Sequence, residues 1–345
     1  MKYIIDRYLR LENDAGFKAR VDIVNILIKE GYKYIDIDYN NNNKIKKIMA
    51  FINIVFMKIE NGSEVIIQYP LNKLVLNIIL KKVKLKKCNT TCIIHDIDTL
   101  RRLSDTNDIE IKNEIKVLNK FNNVISHNKY MSNWLTEKGL TTRIYNLNLF
   151  DYLSESNSNT EIKVEKYSIA YATGVLGSEK SKFLYELIDK TNCNYNILLY
   201  GGIEELLKEK IKNRNYINYK GSLPGDLIAK TISGSFGLVW DSTRVDDCTG
   251  DFGEYTKYNN PHKLSMYIAA DMPVIVWSKS AIADFVKENN IGLCIDNICN
   301  IDEVLFKLSY DEYLNIKSNV KLFSKKVRNG ENIKYIINEM RGIQS

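Results

Sequence analysis

Asn259-Asn260-Pro261-His262-Lys263-Leu264-Ser265-Met266-Tyr267, followed closely by the apolar run Pro273 to Val276, reads as one helix and one strand in succession. Asparagine is a good N-cap, proline suits the first helical position, and Leu264, Tyr267 and Ile268 give the helix an apolar face. The same step recurs outward in both directions. Before it, strands are expected at Ser168 to Tyr171, Tyr195 to Tyr200, Tyr216 to Tyr219 and Gly237 to Trp240, and after it at Gly292 to Ile295. The first half repeats the pattern, with strands at Tyr3 to Ile5, Tyr34 to Tyr39, Val65 to Gln68, Thr91 to Ile94, Val124 to Ser126 and Arg143 to Leu147 and amphipathic stretches between them. Short β-rich runs alternating with helices are the pattern of parallel sheets with crossover helices, so the class is α/β.

At 345 residues the chain has room for two domains of roughly 150 residues each. Ser154-Glu-Ser-Asn-Ser-Asn-Thr-Glu lacks any apolar residue and breaks the periodicity, as a linker does. The expected division is 1–153, a linker 154–165, a second domain 166–326, and a terminal helical segment 327–345 that could cross back to the first domain. Two doubly wound domains imply a cleft between them.

Apolar residues at 45% and charged residues at 26% suit a folded protein and argue against global disorder. The charged start, Met1-Lys-Tyr-Ile-Ile-Asp-Arg, does not fit a signal peptide, and no run reaches the roughly 18 apolar residues of a membrane span. A cytoplasmic location is expected. Cys88 and Cys92 stand four apart with only His95 near as a third ligand, so scattered free thiols are a better reading than zinc, and no metal motif is found. Net charge is +7, and five lysines fall within Leu80-Lys-Lys-Val-Lys-Leu-Lys-Lys. Such a run is either a solvated helix face or a contact for an anionic membrane surface. Nucleic acid is not expected, since no recognition-helix or stacking-aromatic signature accompanies the charge.

Ligands of open α/β sheets bind beyond the carboxyl ends of the strands. At the Asn-Pro-His-Lys helix start, free backbone N–H groups and the helix dipole favour an anion. Simple capping explains the asparagine and proline, but a lysine in the first turn opposes the dipole, so Lys263 points to a phosphate. Asp241, with Trp240, ends a strand and could reach a sugar, and Tyr219 opens a loop able to hold a base. His95 and Asp96 follow the strand Thr91 to Ile94; Asp96 is the first candidate for a general base, with Asp14 next, and either could instead cap a helix. His127 is a structural or acceptor-contact residue rather than a catalyst, and His262 could aid the anion site.

Phe236-Gly-Leu-Val-Trp-Asp, with Gly253-Glu-Tyr-Thr-Lys-Tyr-Asn-Asn-Pro-His-Lys-Leu-Ser-Met-Tyr-Ile-Ala-Ala-Asp-Met-Pro-Val-Ile-Val-Trp, resembles a bacterial glycosyltransferase family. That family includes β-1,6-galactofuranosyltransferases of surface polysaccharide synthesis and glucosyltransferases that extend glycans on serine-rich adhesins. The resemblance implies the GT-B fold, two Rossmann-like domains facing a cleft. It also implies a UDP-sugar donor, with Lys263, Leu264, Ser265, Met266 and Tyr267 around the pyrophosphate, Lys180 as a second phosphate cation and Gly16 closing over the donor. Against the wider pattern Pro-x-Lys-x-x-Glu-Tyr-x-Ala-x-Gly-x-Pro, Met266 replaces the glutamate and Asp271 the glycine. A carboxylate to the donor ribose is then missing unless Glu254 compensates.

The expected function is transfer of a hexose, galactofuranose first and glucose second, from a UDP-sugar to a glycan or glycolipid acceptor without a cofactor. A non-catalytic sugar-binding partner of a transferase is the rival from another class, and a homo-oligomer is left open.

Overall fold

The computed structural model describes residues 1–7, 15–37, 44–155, 166–190 and 193–343. The chain divides into two compact units: one runs to Asn148 and takes in the chain again from Asn332, and the other runs from Leu149 to Glu331. Of the expected linker, 156–165 lie outside the described residues, as do Asp14 and the expected strand end Tyr39.

The first unit carries β1 (Lys2–Arg7), β2 (Lys33–Ile37), β3 (Glu64–Tyr69), β4 (Asn89–Ile94), β5 (Asn123–Ser126) and β6 (Arg143–Asn146) in one sheet of order β2-β1-β3-β4-β5-β6. All its pairings are parallel. A sheet covered by helices on both faces needs near-continuous apolar strands. Val65, Ile66 and Ile67 of β3, and Cys92, Ile93 and Ile94 of β4, are accordingly all buried. The strand order reverses between β1 and β3, which is where a doubly wound sheet opens a crevice at its carboxyl edge.

The second unit carries β7 (Ser168–Leu176), β8 (Asn196–Ile203), β9 (Ile217–Gly221), β10 (Phe236–Val239), β11 (Val274–Trp277) and β12 (Gly292–Ile295) in the order β12-β11-β10-β7-β8-β9. Counted within the unit this is 3-2-1-4-5-6 read from the other edge, the dinucleotide-binding arrangement, with its reversal between β7 and β10. Those strands pair only at Phe236↔Ile169 and Gly237↔Ala170. Beyond that register Tyr267 takes over. Its hydroxyl accepts from the Ala172 amide at 2.8 Å, and its ring lies so close over Gly237 that a Cβ there would stand 2.2 Å from the ring.

The helix Tyr310–Asn329 closes the second unit against the helix His262–Ala269. Arg328 donates to the Ala269 carbonyl at 3.0 Å and pairs with Asp271 at 3.2 Å. Asp271 sits at φ 56°, the left-handed conformation for which glycine is the usual choice; a short polar side chain tolerates it, and Arg328 holds it there. The next helix, Glu331–Met340, belongs from Asn332 onward to the first unit, where Arg341 pairs with Glu64 at 2.8 Å.

The Gly237 contact has a measurable consequence. Gly237→Ala should displace the Tyr267 ring and cost about 2 kcal/mol or more through overpacking, read as a lower thermal midpoint. An unchanged midpoint would mean that the ring has room to move.

Candidate functional site

The carboxyl edge of the second sheet gathers three of the expected residues at the β7/β10 reversal. Lys263, in the first turn of the helix His262–Ala269, donates to Asp241 Oδ1 at 2.6 Å, with the two side chains 14% and 12% exposed. The same ammonium lies 4.9 Å from the centre of the Tyr171 ring. Tyr171 comes from β7, and its fully buried hydroxyl faces the carbonyls of Trp240 and Lys180 at 3.2 and 3.3 Å. The Lys180 carbonyl also accepts from the Ser242 amide at 3.0 Å, which fixes the turn Glu179–Ser181 beside the end of β10. The Lys180 ammonium stands 4.6 Å over the Phe252 ring. Two lysines and a carboxylate thus share one loop cluster, and burial raises the Tyr171 hydroxyl well above its usual range, keeping it a neutral donor.

The helix start differs by one residue from the sequence expectation. Pro261, not Asn260, occupies the cap position, and no side chain caps the helix. Leu264 N bonds to the Pro261 carbonyl, and the Lys263 amide stands in the same first turn, where an anion can meet it. His262 itself turns away: it stacks on Tyr152 at 4.9 Å and meets the Asp151 carbonyl at 3.4 Å. The side chains of Leu264, Ser265, Met266 and Tyr267 are all buried, so near a ligand they can offer packing and backbone only.

In the first unit, the carboxyl edge at the β1/β3 reversal opens a cavity of about 220 Å³ lined by Arg7, Ile37, Pro70, Leu71, Asn72, Val75 and Asp98. Beside it runs a buried polar chain. Arg20 pairs with Asp6 at 2.6 Å, and Gln68 Nε2 donates to Asp6 at 2.8 Å and to the Arg20 carbonyl at 3.1 Å. Gln68 Oε1 meets His95 Nε2 at 2.6 Å. Burial pushes the Asp6 carboxyl up and Arg20 opposes it. A carbonyl can only accept, so the Arg20 carbonyl fixes the Gln68 amide with its oxygen toward His95. His95 Nε2 must then carry a proton, which leaves Nδ1 as the basic nitrogen of the neutral ring.

The adjoining loop is held by Glu114. This buried carboxylate accepts from Tyr69 at 2.6 Å, from the Asp98 and Thr99 amides at 3.1 and 2.9 Å, and from the Thr99 hydroxyl at 2.5 Å. Asp96 pairs with Arg101 at 3.1 Å, both partly exposed. Burial pushes His127 down to about 4, so it is neutral near pH 7 and bonds the Ile94 carbonyl at 3.2 Å.

Comparison with known proteins decides the family. The glucosyltransferase 3-like N-terminal domain matches residues 1–149, and the glucosyltransferase 3-like C-terminal domain matches residues 169–340. The chain belongs to the glucosyltransferase 3-like family. This family member is 29% identical to the β-1,6-galactofuranosyltransferase WbbI of Escherichia coli (strain K12) over 95% of its own length and 94% of the relative's. It is 31% identical to glucosyltransferase 3 of Streptococcus gordonii over 30% of each chain. Among solved structures, Anabaena HepE in complex with UDP and glucose is similar in fold over 100% of both chains, with a TM-score of 0.66 at 10% identity. A sucrose-phosphate synthase from Thermosynechococcus elongatus matches with a TM-score of 0.65 at 12% identity, also over 100% of both chains. The family member is a glycosyltransferase with the GT-B fold.

Of the expected donor residues in this glucosyltransferase 3-like chain, Lys263, Asp241 and Lys180 come together. Tyr219 does not join them among the described contacts: it lies on the edge strand β9 and its hydroxyl donates to the Gly201 carbonyl at 2.9 Å. Gly201 marks a close chain crossing, since a Cβ there would stand 2.0 Å from the Thr173 carbonyl oxygen. Glu254 pairs with Lys257 at 2.7 Å on an exposed helix face, so nothing there marks it as a substitute for the missing glutamate. Gly16 lies in the first turn of the helix Ala15–Lys29, and residues 8–14 before that helix are outside the described structure. No group of three His, Cys, Asp or Glu among the described residues could hold a metal ion.

Sequence reasoning missed Tyr171, Gln68, Arg7 and Glu114. Arg7 and Gln68 do carry a signal, because each is a polar residue at or near the carboxyl end of an apolar strand. Tyr171 and Glu114 carry none that separates them from core and surface residues.

The His95 tautomer can be read directly, since the chain has only three histidines. Nitrogen-15 spectra of the neutral His95 ring should show the proton on Nε2, and Gln68→Leu should abolish that preference. A His95 protonated at Nδ1 would contradict the hydrogen-bond chain.

Proposed function

We propose that this chain transfers galactofuranose from UDP-galactofuranose to a growing surface glycan, with the donor on the second unit and the acceptor on the first. The carrying observation is the Lys263–Asp241 pair at the β7/β10 reversal, with Lys180 in the same loop cluster. The likeness to WbbI along nearly the whole chain supports galactofuranose as the sugar, and the UDP in HepE supports UDP as the carrier.

In this reading the donor diphosphate sits against the Lys263 and Lys180 ammonium groups and the Lys263 amide. These donors and the helix dipole meet the charge that develops on the departing UDP. Lys263 passes from Asp241 to the phosphate, and Asp241 is released to accept from a sugar hydroxyl. The acceptor occupies the cavity beside Arg7 and Asp98, and Asp96 or His95 Nδ1 takes the proton from its attacking hydroxyl. Glucose transfer from UDP-glucose is the second reading, favoured by the local match to glucosyltransferase 3.

No helix among the described residues is long and apolar enough to cross a membrane. Work in the cytoplasm against the inner face of the membrane is part of the proposal and is supported by the basic helix Lys73–Leu85.

The test is a UDP-release screen across UDP-sugars with lipid-linked and soluble glycan acceptors. UDP-galactofuranose should give the highest kcat/KM, and Lys263→Ala should lower it about 100-fold, the usual scale for losing one charge-stabilising donor. Undiminished turnover in Lys263→Ala would remove the site assignment. Neither UDP release nor UDP binding in the unmodified chain would remove the enzyme reading.

A further inference from the structure

The helix Lys44–Phe56 is apolar on the face that points away from the core. Ile54 is buried, whereas Ile48, Met49, Phe51, Ile52, Val55 and Phe56 are exposed, Phe56 by 76%. Ile48, Ile52 and Val55 recur at helical spacing, with Met49 and Phe56 beside them, so they form one stripe rather than scattered exceptions. Single exposed apolar residues need no explanation, but a contiguous patch marks a surface that something covers.

The neighbouring helix Lys73–Leu85 extends this surface. Lys82 donates to the Val55 carbonyl at 2.5 Å, which joins the two helices, and Leu74 and Leu85 are exposed, Leu85 by 84%. Lys58, Lys73, Lys81, Lys84 and Lys87 are exposed and Lys82 and Lys86 half-buried, whereas Glu60 and Glu64 are the sole acids between Lys44 and Lys87. Glu64 is already paired with Arg341. The surface is therefore apolar along one helix and strongly basic around it.

We propose that the helices Lys44–Phe56 and Lys73–Leu85 are a docking surface for an anionic lipid bilayer, with the apolar stripe entering the headgroup region and the lysines meeting lipid phosphates. The inference rests on the membrane placement proposed above and supplies the surface for it. Charge selects this occupant. A second copy docking through the same face would set one lysine cluster against another, whereas an anionic leaflet complements both features at once. Two weak signals, apolar insertion and a polybasic cluster, together give stable attachment where either alone is marginal.

The experiment is co-sedimentation of the full chain with phosphatidylcholine vesicles, with and without one-third phosphatidylglycerol. Capture should be at least about tenfold greater on the anionic vesicles and should fall as salt rises, as screening requires. Ile52→Asp with Phe56→Asp, and separately Lys84→Glu with Lys87→Glu, should each cut capture about tenfold while the thermal midpoint and UDP release on a soluble acceptor stay unchanged. No capture by anionic vesicles, or capture unaffected by either pair, would overturn the proposal. So would a dimer broken by Ile52→Asp in a chain that vesicles do not hold. Loss of UDP release with vesicle capture intact would count against the enzyme reading alone.

Discussion

The second unit depends on one contact, the Tyr267 side chain bridging β7 and β10. These strands share only two register pairs before they part, and the Ala172 amide beyond them finds the Tyr267 hydroxyl. A buried amide without an acceptor costs about 1–3 kcal/mol, so the opening at the reversal is stable only because that hydroxyl is there. The ring requires glycine at 237, and the helix that carries it brings Lys263 to Asp241. Strand reversal, helix start and charge pair are thus one construction, and the Lys263–Asp241 pair inherits its position from a buried tyrosine.

The first unit solves the same problem with charge. Its reversal lies between β1 and β3, and the polar groups there are held by the buried Arg20–Asp6 pair rather than by an aromatic ring. Such a pair is poor evidence of stability, because desolvating two charges costs several kcal/mol per ion. What it does secure is orientation: Gln68 can point only one way, and His95 follows. Glu114 plays the matching part for the loop that carries Asp96 and Asp98, accepting four hydrogen bonds in place of a counter-ion.

Much of this was legible in the sequence. Parallel strands buried on both faces are continuous apolar runs, and the runs at Val65 to Gln68, Thr91 to Ile94 and Pro273 to Val276 fall within two residues of the bounds of β3, β4 and β11. Lys263 was legible because a lysine in a first helical turn opposes the dipole and calls for a reason. Strand order was not legible, since the pattern of alternation is the same for every order of the same strands. The two reversals, and with them the cavity beside Arg7, therefore appear only in three dimensions. Pairing was equally hidden: nothing in the sequence says that Asp271 answers Arg328, or that Glu254 is taken up by Lys257. The one-residue shift of the cap from Asn260 to Pro261 is the ordinary uncertainty of a helix end.

The most direct test of the central claim is a crystal structure of the full chain with UDP bound. The account predicts the diphosphate at the carboxyl ends of β7 and β10, within hydrogen-bond distance of Lys263 Nζ and of the Lys263 amide, with the Lys263–Asp241 bond lengthened or broken. A nucleotide seated elsewhere on the second sheet, or in the first-unit cavity beside Arg7, with Lys263 still held by Asp241, would contradict it.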